Sequence, residues 1–226
     1  MKQNGYRLAL FDLDGTLVDT AADVHYSMNV LRKELGIPYL SLEEAKESIG
    51  PGPDLFVKCL TDNHADINPK ETIHRFREIY YQNVLNQTQL FGGISNLLQY
   101  LSNKDVTLMV VTNKPGKFAR KILRGLGIDH QFSVILGPED VDNRKPAPDI
   151  IFKAMQLADE KAENTIMIGD TEYDIHAAKA AGVDVCAAGF GYSPHSSLHD
   201  LNPTYFVNQP SDIKKIWSDL FHFGGS

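Results

Sequence analysis

A chain of 226 residues can bury one sizeable core, or one core with a small accessory lobe. Its 42% hydrophobic and 23% charged content is that of a globular protein, and a formal charge of −7 offers no broad basic face, so nucleic acid is not an expected partner. No apolar run approaches the roughly 20 residues of a membrane-spanning helix, so no membrane is expected either.

The first predicted element is the strand Leu8-Ala9-Leu10-Phe11, a short apolar run that ends in Asp12-Leu13-Asp14-Gly15-Thr16. It is too short, and too quickly followed by aspartates, to be the core of a signal peptide. Cys59 and Cys186 lie far apart among apolar neighbours and read as buried, inert thiols. The expected location is the cytoplasm. Side chains alternate along a strand, so Asp12 and Asp14 leave its carboxyl end on one side, which is where open α/β sheets bind ligands. Two carboxylates aimed into one crevice repel each other unless a cation or a shared proton offsets them. An Asp-Gly turn alone explains Asp14-Gly15, but not an aspartate closing an apolar strand.

Helical periodicity follows. Thr20 is placed to cap a helix carrying Val24, Met28, Leu31 and Leu35, stopped by Gly36 and Pro38. Ser41-Leu42-Glu43-Glu44 is a capping-box pattern, and Asn68-Pro69-Lys70-Glu71 opens a helix with Ile73, Phe76, Tyr80 and Val84 on one face. Between them, Ile49-Gly50-Pro51-Gly52-Pro53-Asp54 is a tight loop, with a further helix from Pro53 or Asp54. From Gly93 the pattern turns to alternating β and α: a helix with Ile94, Leu97, Leu98 and Leu101, a strand over 106–111, a helix near 116–126, and a strand over 132–136. A helix near 147–158, a strand over 165–168, a helix near 173–181 closed by Gly182, and a strand over 183–187 follow; Tyr205-Phe206-Val207 and a helical tail complete the chain. Such alternation predicts an α/β fold, a Rossmann-like parallel sheet with helices on both faces. The expected division is a core of residues 1–19 and 89–226 with an inserted all-helical cap over 20–88.

Further polar groups fall where this pattern puts strand ends or helix starts: Thr112-Asn113, Lys145-Pro146-Ala147-Pro148, and Gly169-Asp170-Thr171 with Asp174. Singly, each is explained as well by turn or cap chemistry. In order, with Asp12-Leu13-Asp14-Gly15-Thr16 ahead of them, they are similar to the four motifs of the haloacid dehalogenase-like hydrolases. The chain most resembles members with a small helical cap, phosphoglycolate phosphatases among them.

That resemblance implies a Mg²⁺-dependent phosphatase acting on a small phosphorylated metabolite, as a monomer or homodimer. It assigns Asp12 as the nucleophile and Asp14 as the general acid and base. Phosphoryl oxygens would be held by the Thr112 hydroxyl, the Gly15 and Asn113 backbone amides and Lys145. The metal would be held by the Asp12 carboxylate, the Asp14 backbone carbonyl and Asp170, with Asp174 behind them. Asp19, at the start of the insertion, is expected to be structural. The loop over 49–54 resembles the one that faces the core site in capped members, though Gly and Pro there equally serve a simple turn. Phosphoglycolate is the leading substrate; pyrophosphate, nucleotides and sugar phosphates stay open, as does a sugar phosphomutase. Asp14 argues against a dehalogenase. A phosphonate hydrolase would need a cap lysine, and Lys46 and Lys58 read better as solvated. A receiver-type phospho-switch is about half this length and has no helical insertion.

Overall fold

The first strand, β1 (Leu8–Phe11), is completely buried in the computed structural model, which describes residues 5–50, 53–61, 64 and 67–218. The chain divides into two compact units, Met1–Leu17 with Leu90–Ser226, and Val18–Gln89.

The second unit opens on the two-residue strand β2 (Val18–Asp19) and continues through α1 (Ala21–Glu34), α2 (Leu42–Glu47), α3 (Pro53–Thr61) and α4 (Pro69–Asn83). Its end runs into β3 (Gln89–Leu90), which pairs with β2. Thr20 does not cap α1 as its residue type suggested. Its backbone is already helical (φ −105°, ψ −3°) and its side chain makes no capping bond, whereas a capping side chain needs the extended conformation. Asp19 does the work from one residue earlier, accepting the Ala21 N–H at 3.2 Å. The helix closes as expected at Gly36, where the Gly36 and Ile37 amides bond back to Lys33 and Arg32. Ser41 and Glu44 form the capping box of α2, and Asn68 caps α4. α3 begins at Pro53, but Pro51 and Gly52, at the heart of the loop over 49–54, lie outside the described residues. Cys186 is buried, while Cys59 on α3 is only partly so.

A buried aspartate ties the two ends of this unit together. Asp23, in the first turn of α1, accepts the Gln87 and Thr88 amides at 2.9 Å and the Thr88 hydroxyl at 2.8 Å, and is 0% exposed. Removing the acceptor strands three donors, each costing about 1–3 kcal/mol when buried. Asp23→Ala is therefore expected to destabilise the protein by about 3 kcal/mol, a fall in Tm of roughly 6–12 °C for a chain of this size. Thermal unfolding followed by circular dichroism checks it, and a fall under about 2 °C would mean that water replaces the carboxylate without loss.

The first unit resumes with α5 (Ile94–Ser102), β4 (Thr107–Val111), α6 (Gly116–Gly125), β5 (Val134–Leu136), α7 (Asp149–Ala158), β6 (Thr165–Gly169), α8 (Glu172–Ala181), β7 (Asp184–Ala188), α9 (His195–Asp200), β8 (Tyr205–Val207) and α10 (Pro210–Ile213). Six strands make one sheet in the order β5-β4-β1-β6-β7-β8, with every pair parallel. β1 sits near its centre, Phe11 lying between Val110 of β4 and Ile168 of β6. Leu8, Leu10, Met109, Met167 and Val185 from the strands join Ile150, Ile151 and Ile175 from α7 and α8 in one buried cluster. Apolar strands covered by helices are what a parallel sheet requires. The tail beyond α10 is a short 3₁₀ turn, Lys214–Trp217; the rest of the expected terminal helix lies outside the described residues.

Candidate active site

Polar side chains gather where three central strands end. Asp12 directly follows β1 and its amide bonds to Ile168 O at 2.9 Å; Thr112 directly follows β4, and Asp170 directly follows β6. Lys145 reaches them from the loop ahead of α7, with its side chain 2% exposed. Its ammonium donates to Asp12 Oδ1 at 2.8 Å, Asp174 Oδ1 at 2.6 Å and the Val111 carbonyl at 2.9 Å. Asn113 donates to the Lys145 carbonyl at 3.0 Å, tying the β4 end to the lysine loop. Thr112 is buried, and its Oγ1 accepts the Lys114 amide at 3.1 Å. The four separated stretches singled out in the sequence thus meet through named bonds.

The two later aspartates are locked differently. Asp174, in the first turn of α8, turns Oδ2 to the Thr171 N–H and hydroxyl (3.1 and 2.6 Å) and Oδ1 to Lys145. Asp170 accepts the Thr16 hydroxyl on Oδ1 and the Tyr192 amide on Oδ2, both at 2.9 Å. The backbone crowds Asp170 so closely that a Cβ on Gly15 would stand 2.1 Å from its Oδ2, and one on Gly191 2.2 Å from its Cβ; Gly15 also has φ +77°. No other residue type fits Gly15 without displacing the carboxylate.

Such concentration of charge is costly. Burial, opposed by Lys145 and reinforced by Asp174, pushes the Asp12 carboxyl up to about 6. Burial, then the charges of Asp12 and Asp174, hold Asp170 well above the usual carboxylate range. Burial alone would lower the Lys145 ammonium, but Asp12 and Asp174 outweigh it and raise it, so the lysine stays protonated. Around Asp12, Asp170 and Asp174, Lys145 is one cation against three buried carboxylates.

Residues 9–188 match the family model described as haloacid dehalogenase-like hydrolase, most of the chain and all of the groups above except Gly191 and Tyr192. The chain belongs to that family. Among curated relatives, a phosphoglycolate phosphatase of Aquifex aeolicus (strain VF5) is 33% identical over 211 residues, 93% of this chain and 96% of its own. Among solved structures, a predicted phosphoglycolate phosphatase from Haemophilus somnus 129PT superposes with a TM-score of 0.88 at 30% identity, covering 93% of this chain and 97% of its own. A haloacid dehalogenase-like family hydrolase from Streptococcus pneumoniae gives 0.83 at 27% identity, covering 93% and 97%.

The donor set of this haloacid dehalogenase-like hydrolase fits a hard divalent cation. Asp12, Asp170 and Asp174 each offer a carboxylate oxygen, the three atoms lying within 4.8 Å of one another, and all three residues are buried. Oxygen donors with excess negative charge are what Mg²⁺ takes. Asp174 is the poorest of the three, because both of its oxygens are engaged, Oδ1 by the Lys145 ammonium and Oδ2 by the Thr171 N–H and hydroxyl together. Asp12 and Asp170 are better placed to bind it. No helix among the described residues is long and apolar enough to cross a membrane.

Three participants had gone unassigned from the sequence. Thr16 closes on Asp170, Tyr192 supplies a backbone amide from the loop after β7, and Lys114 pairs with Asp14. Thr16 stands inside the first quoted motif, which gave it no role, and Lys114 adjoins Thr112-Asn113, so place in the chain was their only signal. A backbone amide such as that of Tyr192 has none.

Proposed function

We propose that this chain is a Mg²⁺-dependent phosphatase that hydrolyses a small phosphomonoester through an aspartyl-phosphate on Asp12. The observation that carries the reading is the convergence on Asp12 of a buried lysine at 2.8 Å and a second carboxylate shell at the carboxyl edge of the sheet. Asp12 Oδ attacks phosphorus as the bond to the ester oxygen breaks, and Asp14 gives the departing alkoxide its proton. Asp14 then takes a proton from water, which attacks the aspartyl-phosphate and releases inorganic phosphate with Asp12 restored. Lys145 balances charge on Asp12 and the phosphoryl group. Thr112, which accepts from the Lys114 amide, keeps its own hydroxyl proton for a phosphoryl oxygen, beside the Asn113 and Gly15 amides. Mg²⁺, held by the Asp12 carboxylate, the Asp14 backbone carbonyl and Asp170, would supply the charge that lets a dianionic ester settle among carboxylates. Asp174 keeps Lys145 and the start of α8 in place. Val18–Gln89 would serve as the cap that selects the organic part of the ester.

The names of its relatives make phosphoglycolate the leading substrate. The direct test is phosphate release from a panel of small esters, phosphoglycolate included, with Mg²⁺ and with chelator. Turnover that requires the metal is expected, and no release from any ester would overturn the reading.

The acid role has its own signature. Asp14→Asn should slow phosphorylation of the enzyme by alkyl esters at least about a hundredfold, a typical worth for proton transfer. Nitrophenolate leaves without a proton, so nitrophenyl phosphate should lose far less in the same single-turnover step. Equal losses with both esters would take the acid role away from Asp14.

A further inference from the structure

Lys114 lies two residues beyond Thr112, in the turn between β4 and α6, yet its side chain is only 8% exposed. Lys117, three residues further on, is exposed in the ordinary way. The Lys114 ammonium donates to both oxygens of Asp14, at 3.0 Å each, across a sequence separation of 100 residues. Desolvating a lysine is unfavourable, and a pair this buried gains little stability over apolar substitutes. A structural role alone is a weak account of it.

We infer that Lys114 is a specificity-determining residue that recognises a carboxylate or similar anionic group on the leaving alcohol of the ester. This rests on the phosphatase reading, in which Asp14 stands at the ester oxygen. An ammonium one hydrogen bond beyond Asp14 lies within about 6 Å of that oxygen, two hydrogen-bond lengths away. A carboxylate carried on the adjacent carbon falls within that span. Lys114 is also fixed relative to the phosphoryl subsite, because its own amide bonds to Thr112 Oγ1 at 3.1 Å. One short turn therefore presents a hydroxyl for the phosphoryl group and a cation for the far end of the same small molecule. The spacing favours a compact dianion-plus-carboxylate substrate over a neutral alkyl phosphate.

The test compares phosphoglycolate with its neutral isostere, phosphoglycolamide, using nitrophenyl phosphate as a third substrate. In the wild-type protein with Mg²⁺, kcat/KM for the carboxylate should exceed that for the amide about 10- to 100-fold, the worth of one charge-assisted hydrogen bond. In Lys114→Met that ratio should collapse towards one, mostly through KM, and Lys114→Arg should keep most of it. A wild-type ratio near one overturns the inference with no variant needed, which covers the case of a Lys114→Met protein that fails to fold. A ratio unchanged in Lys114→Met overturns it too, because a lysine that only orients Asp14 affects both esters equally. No hydrolysis of any of the three by wild type removes the phosphatase reading itself, whereas turnover of nitrophenyl phosphate without preference for the carboxylate removes only the role of Lys114.

Discussion

Asp12→Asn should fold and fail to turn over. An amide is a poor nucleophile towards phosphorus and a poor ligand for Mg²⁺, so kcat should fall at least about a thousandfold, more than 4 kcal/mol of barrier. Stability should move the other way. Asp12 is held near 6 by burial and by Asp174, so at neutral pH the native state carries a carboxylate that it would rather protonate. A neutral amide relieves that repulsion, and Lys145 keeps Asp174 and the Val111 carbonyl as partners. In chelator the variant should melt no lower than wild type, and it should gain less from added Mg²⁺. Steady-state kinetics beside a thermal melt checks both halves. More than about a hundredth of wild-type kcat would displace Asp12 as the nucleophile.

Lys145→Met tests the opposite charge, and there both activity and stability should fall. Without the ammonium, Asp12 and Asp174 face each other across a buried space and the Val111 carbonyl loses a donor. Removing one partner of a buried ionic network costs about 3–5 kcal/mol, roughly 10 °C in Tm for this length. The pH dependence carries the diagnosis. An unfolded aspartate titrates near 4, while Asp12 in the folded, metal-free protein titrates near 6. The native chain therefore binds this proton more tightly, and its contribution to stability declines as pH rises from about 4 to about 6. Lys145 is the strongest influence opposing that upward shift. Its loss should raise the folded value further and extend the decline to higher pH. The gap in Tm between wild type and Lys145→Met should then be narrowest near pH 4 and widen towards pH 7. A constant gap would mean that lost packing, rather than lost charge, explains the variant. Adding Asp12→Asn should recover part of the loss, since it removes one of the stranded carboxylates.

Where chemistry is local, the sequence was legible. The run Leu8–Phe11 had to be buried on both faces, and it is one of the two middle strands of the sheet. Ser41 and Glu44 three residues apart carry their own hydrogen-bond geometry, and the helix end at Gly36 follows from the same local rules. Thr20 misled because a residue type permits a cap without forcing it; the adjacent Asp19 takes the amide. Asp23 gave no signal at all, since an acidic residue in a first helical turn is ordinary dipole chemistry, and its real partners lie 64 and 65 residues away. The motif residues could be ordered along the chain, but the strand order β5-β4-β1-β6-β7-β8 is a property of long-range pairing that no local window contains. Lys114 escaped for the same reason, its partner being 100 residues off.

The placement of β1 also bears on how the protein is made. Of the described strands Leu8–Phe11 is the first to leave the ribosome, yet its neighbours on either side begin at Thr107 and Thr165. Neither edge of β1 can be closed until about a hundred further residues have been added, and the second edge only when most of the chain has emerged. The helices of Val18–Gln89 draw on contacts within their own span, α1 against α4 foremost, and can settle while β1 still waits. An apolar strand left open through most of synthesis is exposed to mispairing and to chaperones. Asp12 and Asp14 immediately follow it, and a strand flanked by charge is poorly suited to stacking with copies of itself. The carboxylates that crowd the finished site would thus guard the same strand while it is unpaired.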